Sequence, residues 1–135
     1  KITNENENHN GFQYKDGLNI DTLPFNINDD HHTFYQEYGL HFTTAVHLHK
    51  FLDFGVNVRE VILPTKEEYP DFKMSKDSWG EKIRANAIIL GSKKSIFDID
   101  VIKEFKLHLY EKFVDYMSKL GFVDALLILG NVNVL

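Results

Sequence analysis

Imidazole is the side chain here whose type first suggests chemistry: five of the seven histidines, His31, His32, His41, His47 and His49, fall within fewer than twenty residues. Neutral imidazole is a common ligand for zinc and copper, so such a density raises a metal site as one reading. The spacing argues against it. Helical ligand pairs sit four residues apart on one face, whereas His47 and His49 are two apart and would point about 200° from each other. His31 and His32 fall in a polar stretch with no companion acid at ligand spacing, so solvated or locally satisfied histidines are expected and no metal. Nucleophilic chemistry finds no motif either. Ser75, Ser78, Ser92, Ser95 and Ser118 all lack a Gly-x-Ser-x-Gly frame, and no glycine-rich phosphate loop occurs. Asp98 and Asp100 resemble a carboxylate pair, but they open an apolar-periodic run, where acids cap a helix and complement its dipole. No catalytic residue is assigned.

Two groups remain as candidate contact sites. Tyr69, Phe72 and Trp79 are large aromatics on a long charged excursion, which makes them candidate anchors for a partner. The competing reading is that they fold back to cover a sheet. Tyr14, His41 and Arg59 are the residues around which a polar, concave pocket is expected. Gly39-Leu40-His41-Phe42, a helix, and then Val58-Arg59-Glu60-Val61 are faintly similar to the strand, helix and strand of ADP-ribosyltransferase-type NAD sites. Such sites need a histidine or arginine on an early strand and a glutamate to stabilise an oxocarbenium-like transition state. No His-Gly or Arg-Gly strand precedes Gly39, and Glu60 has no paired acid, so this resemblance implies a shared nucleotide-binding fold without activity. No cofactor is expected.

The elements that must position these residues are legible from periodicity and punctuation. Thr3 to Asn10 is almost entirely polar and reads as a loop. Phe12 and Tyr14 begin an extended piece that continues through an Asp16-Gly17 turn to Leu18, Ile20 and Pro24. Gly39 to Thr44 reads as strand and helix cap, with Thr43 or Thr44 accepting from the first-turn amides. Ala45, Leu48, Phe51 and Leu52 form one helical stripe, and Gly55 ends the helix in a left-handed conformation. Val56 to Leu63 is a strand apolar on both faces, as central strands are. Thr65 to Lys82 reads as the excursion, and Ile83 to Leu90 as a strand stopped by Gly91-Ser92. The repeat Val101, Ile102, Phe105, Leu109, Phe113, Tyr116, Met117 and Leu120 predicts one long helix from Asp98 or Asp100 to Gly121.

Composition bounds the rest. At 135 residues, 43% hydrophobic and 13% aromatic, the chain can bury a core without disulfide or metal. A net charge of −5 with scattered Lys and Arg removes the basic footprint that nucleic acid or an anionic membrane requires. The absence of cysteine removes thiolate chemistry and suits a reducing compartment. No apolar run is long enough to cross a bilayer as a helix. No charged-then-apolar leader opens the stretch, which starts at Lys1 rather than Met.

Four blocks in order, Asn8 to Asn19, Gly39 to Thr43, Phe51 to Gly55 with Arg59-Glu60-Val61, and Arg84 to Gly91, resemble the N-terminal domain of ankyrin-repeat proteins from mimivirus-like giant viruses. Val123 to Asn133 is similar to the second helix and Gly-x-x-Val-Asn tail of an ankyrin unit, one residue short. A single unit cannot stack, so no array is expected. The resemblance implies a viral protein made in the cytoplasm of an infected host cell.

The expected architecture is α+β: a mixed, mostly antiparallel sheet of four to five strands covered by two main helices. It is expected to form one domain over 1–135, with 1–95 as the sheet region and 96–135 as a helical part ending in a short final helix. The expected function is non-enzymatic binding of a host or viral protein. The apolar tail Val132 to Leu135 offers a contact for a homodimer.

Overall fold

The computed structural model describes residues 1–25, 39–77 and 81–121. In chain order they form β1 (Ile2–Thr3), β2 (Asn8–His9), β3 (Phe12–Gln13), β4 (Gly17–Ile20), β5 (Leu40–Phe42), a 3-10 helix (Ala45–Phe54), β6 (Asn57–Ile62) and β7 (Met74–Lys76). There follow β8 (Ile83–Ala85), β9 (Ala87–Ser95), α1 (Ile99–Phe105), a 3-10 turn (Leu107–Leu109) and α2 (Glu111–Lys119). The fold is α+β, and the pairings among the described residues are antiparallel.

A four-stranded sheet has the order β1-β6-β9-β4, a three-stranded sheet the order β5-β8-β7, and β2 and β3 form a separate hairpin. β6 is central, as its two apolar faces require: Val58 packs against one core cluster and Val61, three residues on, against the other. The first cluster gathers Ile2, Leu48, Leu52, Ile96, Phe113 and Met117, among others, between β1 and the helices. The second gathers Tyr14, Leu40, Ala85, Ile88 and Leu90 between the two sheets.

Several sequence expectations are corrected. β5 and β6 flank the 3-10 helix but lie in different sheets, so the strand, helix and strand read between Gly39 and Leu63 do not share one sheet. The segment Ile83 to Leu90 is two strands that pass from one sheet to the other at Asn86. That residue bridges both: its side chain accepts from Lys73 N (2.8 Å) and donates to Asp71 O (2.7 Å). Its main chain donates to Lys73 O (3.0 Å) and accepts from Asp21 N (2.9 Å). β9 does not stop at Gly91-Ser92. The register with β6 shifts between Arg59 and Val61, so the pair forms a bulge, and the missing Gly91 side chain leaves room for the Glu60 carboxylate. The excursion contains β7, which the charge-rich sequence conceals.

The helix after β5 is 3-10 and is interrupted at Phe51. No threonine side chain caps it. The Thr43 hydroxyl donates to Glu81 O instead, and Thr44 Oγ1 pairs with His47 Nδ1 at 3.0 Å. Gly55 is extended rather than left-handed, with φ 164°. Its role is proximity, because any Cβ there would collide with the main chain of β1. Leu48 and Leu52 of the predicted stripe are buried, whereas Ala45 is exposed.

The long C-terminal helix is broken. Asp98 caps α1 as its position predicts, its side chain accepting from Asp100 N at 2.8 Å. Lys106 then adopts left-handed geometry (φ 55°, ψ 38°) and Tyr110 is extended. In a continuous helix Leu109 would lie on the apolar stripe and Leu107 on the opposite side. The break reverses them: Leu107 is 0% exposed and Leu109 57%. The expected final helix, the ankyrin-like end and the Val132 to Leu135 tail lie outside the described residues.

Candidate functional site

β1 positions the site. Pairing of β1 with β6 (Ile2 opposite Val58) carries Lys1 across β6, where its main-chain nitrogen donates to Arg59 O at 3.0 Å and its carbonyl accepts from Arg59 N at 2.8 Å. The Lys1 side chain thereby crosses toward β5. Its Nζ donates to His41 O at 2.6 Å and lies 4.6 Å from the Tyr14 ring centroid. Around it opens a cavity of about 80 Å³ whose apolar lining is Ile2, Tyr14, Phe42, Phe51 and Phe54. Small-molecule sites usually enclose roughly 300–1,000 Å³, so this cavity suits a group the size of one side chain.

The electrostatics are asymmetric. Burial, reinforced by the nearby Lys82 charge, lowers the Lys1 ammonium to a pKa of about 8. Burial raises the Tyr14 phenol, and the Asp21 charge adds to the effect, so Tyr14 stays neutral. The carboxylate in the wall, Glu7, faces other partners. It accepts from Thr3 Oγ1 (2.9 Å), and it lies 3.2 Å from Arg59 Nε and 3.5 Å from Lys93 Nζ. The Arg59 Nε contact is close enough for an ion pair but is not directed as a hydrogen bond. The other end of Arg59 reaches out to exposed Asp16 at 2.6 Å.

Of the three residues expected at a pocket, Tyr14 and His41 line the cavity. Arg59 stands behind it, buried at 3% exposure and braced on Glu7. Glu60, the acid a transferase would need, is not in the cavity wall but packs over Gly91. Of the aromatic excursion, Phe72 packs against the second core cluster and Tyr69 is half-buried. Trp79 lies outside the described residues, as do His31 and His32. His49 stacks on Tyr110 with centroids 3.9 Å apart. Among the described residues no three His, Asp or Glu side chains converge on a common point, and no helix is long and apolar enough to cross a membrane. Lys1, Lys82 and Phe54 were not singled out by sequence reasoning, since nothing in their spacing shows that β1 and the β7–β8 region meet at β5.

No family model matches the chain, and no solved structure matches it. Similar proteins come from Acanthamoeba polyphaga mimivirus. One, which bears ankyrin repeats in its name, is 41% identical over 128 residues, covering 92% of this chain and 62% of the relative. A second, also named for ankyrin repeats, is 44% identical over 106 residues, covering 78% of this chain and 30% of the relative. An uncharacterised protein is 46% identical over 103 residues, covering 76% of this chain and 71% of the relative. The chain thus spans less than two thirds of the first two relatives. At these identities and coverages the described fold is shared with them, and the chain belongs to the mimivirus family of ankyrin-repeat-associated proteins, of which it represents a non-repeat domain.

Proposed function

We propose that this chain is a non-enzymatic protein-interaction domain of a giant virus, acting in the cytoplasm of the infected host cell on a host or viral protein. The observation that carries the reading is the cavity between β1 and β5. It is the size of one side chain and is lined by aromatic, aliphatic and polar groups together, as is a protein surface that receives an anchor residue. The family context supports it, because relatives named for ankyrin repeats combine this block with sequence of a kind that generally forms protein-binding scaffolds.

Affinity capture with the tagged chain from infected cells tests the proposal. Phe54 lines the cavity and is 56% exposed, so Phe54→Ser should lower the melting temperature only slightly. The expected result is a specific partner retained by the native chain and lost by F54S. Identical recovery by both, or recovery by neither, counts against the reading. The nucleotide-binding alternative rests on the resemblance around Gly39 to Glu60. NAD at a hundred times its Kd would stabilise the chain by about 2.7 kcal/mol, and no shift in melting temperature is expected.

A further inference from the structure

We propose that a second copy of this chain pairs with β4, antiparallel and about a two-fold axis at Asn19, so that the four-stranded sheets of the two copies join into one. This goes beyond the interaction reading above and rests on different residues. β4 ends the sheet order β1-β6-β9-β4. The phase of its ladder is fixed by Asp21 N, which donates to Asn86 O at 2.9 Å on the β9 side. Main-chain groups alternate sides along a strand, so Gly17 and Asn19 also face β9, while the N–H and C=O of Leu18 and Ile20 point outward. No hydrogen bond among the described residues takes up these outward groups.

The other sheet ends are closed or guarded. β1 packs against the 3-10 helix, the outward His41 carbonyl on β5 accepts from Lys1 Nζ, and β7 is bracketed by exposed Lys73 and Lys76. Lysine at an edge discourages a further strand. β4 has none of these devices: Leu18-Asn19-Ile20 carries no charge, proline or bulge, and Ile20 is 44% exposed. An unguarded edge of this kind is a template for another strand.

Register selects a second copy as that strand. With Asn19 on the axis, Leu18 and Ile20 of one copy exchange main-chain hydrogen bonds with Ile20 and Leu18 of the other. Leu18 stands opposite Ile89, which stands opposite Ile62, and Ile20 stands opposite Ala87. The join therefore runs Ile62, Ile89 and Leu18 of one copy into Ile20 and Ala87 of the other, and the axis repeats this apolar row. Charge agrees with the antiparallel direction. Asp21 of one copy falls opposite Gly17 of the other, near exposed Lys15, which forms no ion pair among the described residues, whereas parallel strands would set Lys15 beside Lys15. The contact is small, so the dimer is weak, with a Kd on the order of 100 µM.

The test is sedimentation velocity and amide hydrogen exchange on the full chain between about 10 µM and about 500 µM. A monomer–dimer equilibrium should appear across that range, and the Leu18 and Ile20 amides should exchange about threefold more slowly at its upper end, with Asn19 unchanged. Ile20→Lys should weaken the dimer by about tenfold or more. Ile62→Lys, equally exposed at 46% on the same face but on β6, should leave it intact. A chain that stays monomeric, a dimer untouched by I20K, or equal loss in both variants overturns the proposal. Protection of the Leu18 and Ile20 amides that appears only when another protein is added also overturns it, and gives the edge to that partner.

Discussion

Gly55 and Thr3 meet backbone to backbone: a Cβ built on Gly55 would lie 2.0 Å from the Thr3 carbonyl oxygen and 2.6 Å from Asn4 N. The same Thr3 oxygen accepts the hydrogen bond from Val56 N at 3.0 Å. This contact seats β1 beside the exit of the 3-10 helix, and β1 in turn carries Lys1 to the cavity. A half-buried glycine thus governs the geometry of the site.

Gly55→Ala should therefore be destabilising by about 3 kcal/mol, since the obstructing atoms are main chain and cannot rotate away. Gly91→Ala is the control. Its added carbon would meet the Glu60 carboxylate at 2.6 Å, the end of a flexible and exposed side chain, so its cost should be much smaller. Urea unfolding of both variants checks the difference, and similar losses would contradict the assigned contact.

Arg59 is buried at the centre of the sheet and pairs inward with Glu7 and outward with Asp16. Arg59→Met leaves the Glu7 carboxylate without its main cation and should cost about 3 kcal/mol. Asp16→Asn should be close to neutral, because its side chain is 89% exposed and water replaces the contact. Thermal unfolding of the two variants tests this order.

Lys106 gives a prediction whose sign distinguishes two structures. In the left-handed geometry described (φ 55°, ψ 38°) an L-residue carries a penalty of about 1–2 kcal/mol, part of which glycine removes. Lys106→Gly should stabilise the chain by about 0.5 kcal/mol. Were the segment one continuous helix, the same change would destabilise it by about 1 kcal/mol. Denaturant midpoints measured at equal slope decide the sign.

The pH dependence of stability should carry the signature of Lys1. Unfolded, its amine holds a proton up to about 10.5, and folded only to about 8. Between these values the unfolded chain binds more protons, so stability rises with pH. Tyr14 acts in the opposite sense above its ordinary value of 10.0, where the folded chain keeps a proton that the unfolded chain releases. The melting temperature of the native chain, relative to Lys1→Met, should climb between about pH 7.5 and pH 10. A constant difference across that range would show that the amine is not buried.

Whatever depended on neighbours within a few residues could be read from the chain directly. Asp98 caps α1 because its carboxylate needs only the amide two positions on. The turn at Asp16-Gly17 forms because Gly17 accepts φ 81°, and it is held by Asn19, whose side chain bonds Lys15 N and O. The two-sided apolarity of Val58 and Val61 marks β6 as central for the same local reason. The four blocks that resemble mimivirus sequences were likewise visible without coordinates.

Tertiary structure decided what depends on residues far apart in sequence. Ile2–Thr3 has no periodicity of its own and is a strand because β6 offers it an edge. Leu107 displaces Leu109 from the core because the packing against Phe113 and Ile102 outweighs helix continuity. Gly55 is required by a carbonyl 52 positions earlier, as the 55 − 3 separation from Thr3 shows, and no local rule reports such a contact. The cavity itself exists only where Lys1, Tyr14 and His41, drawn from three separate segments, are brought together. Charge burial at Lys1 is a property of that assembly and not of the lysine.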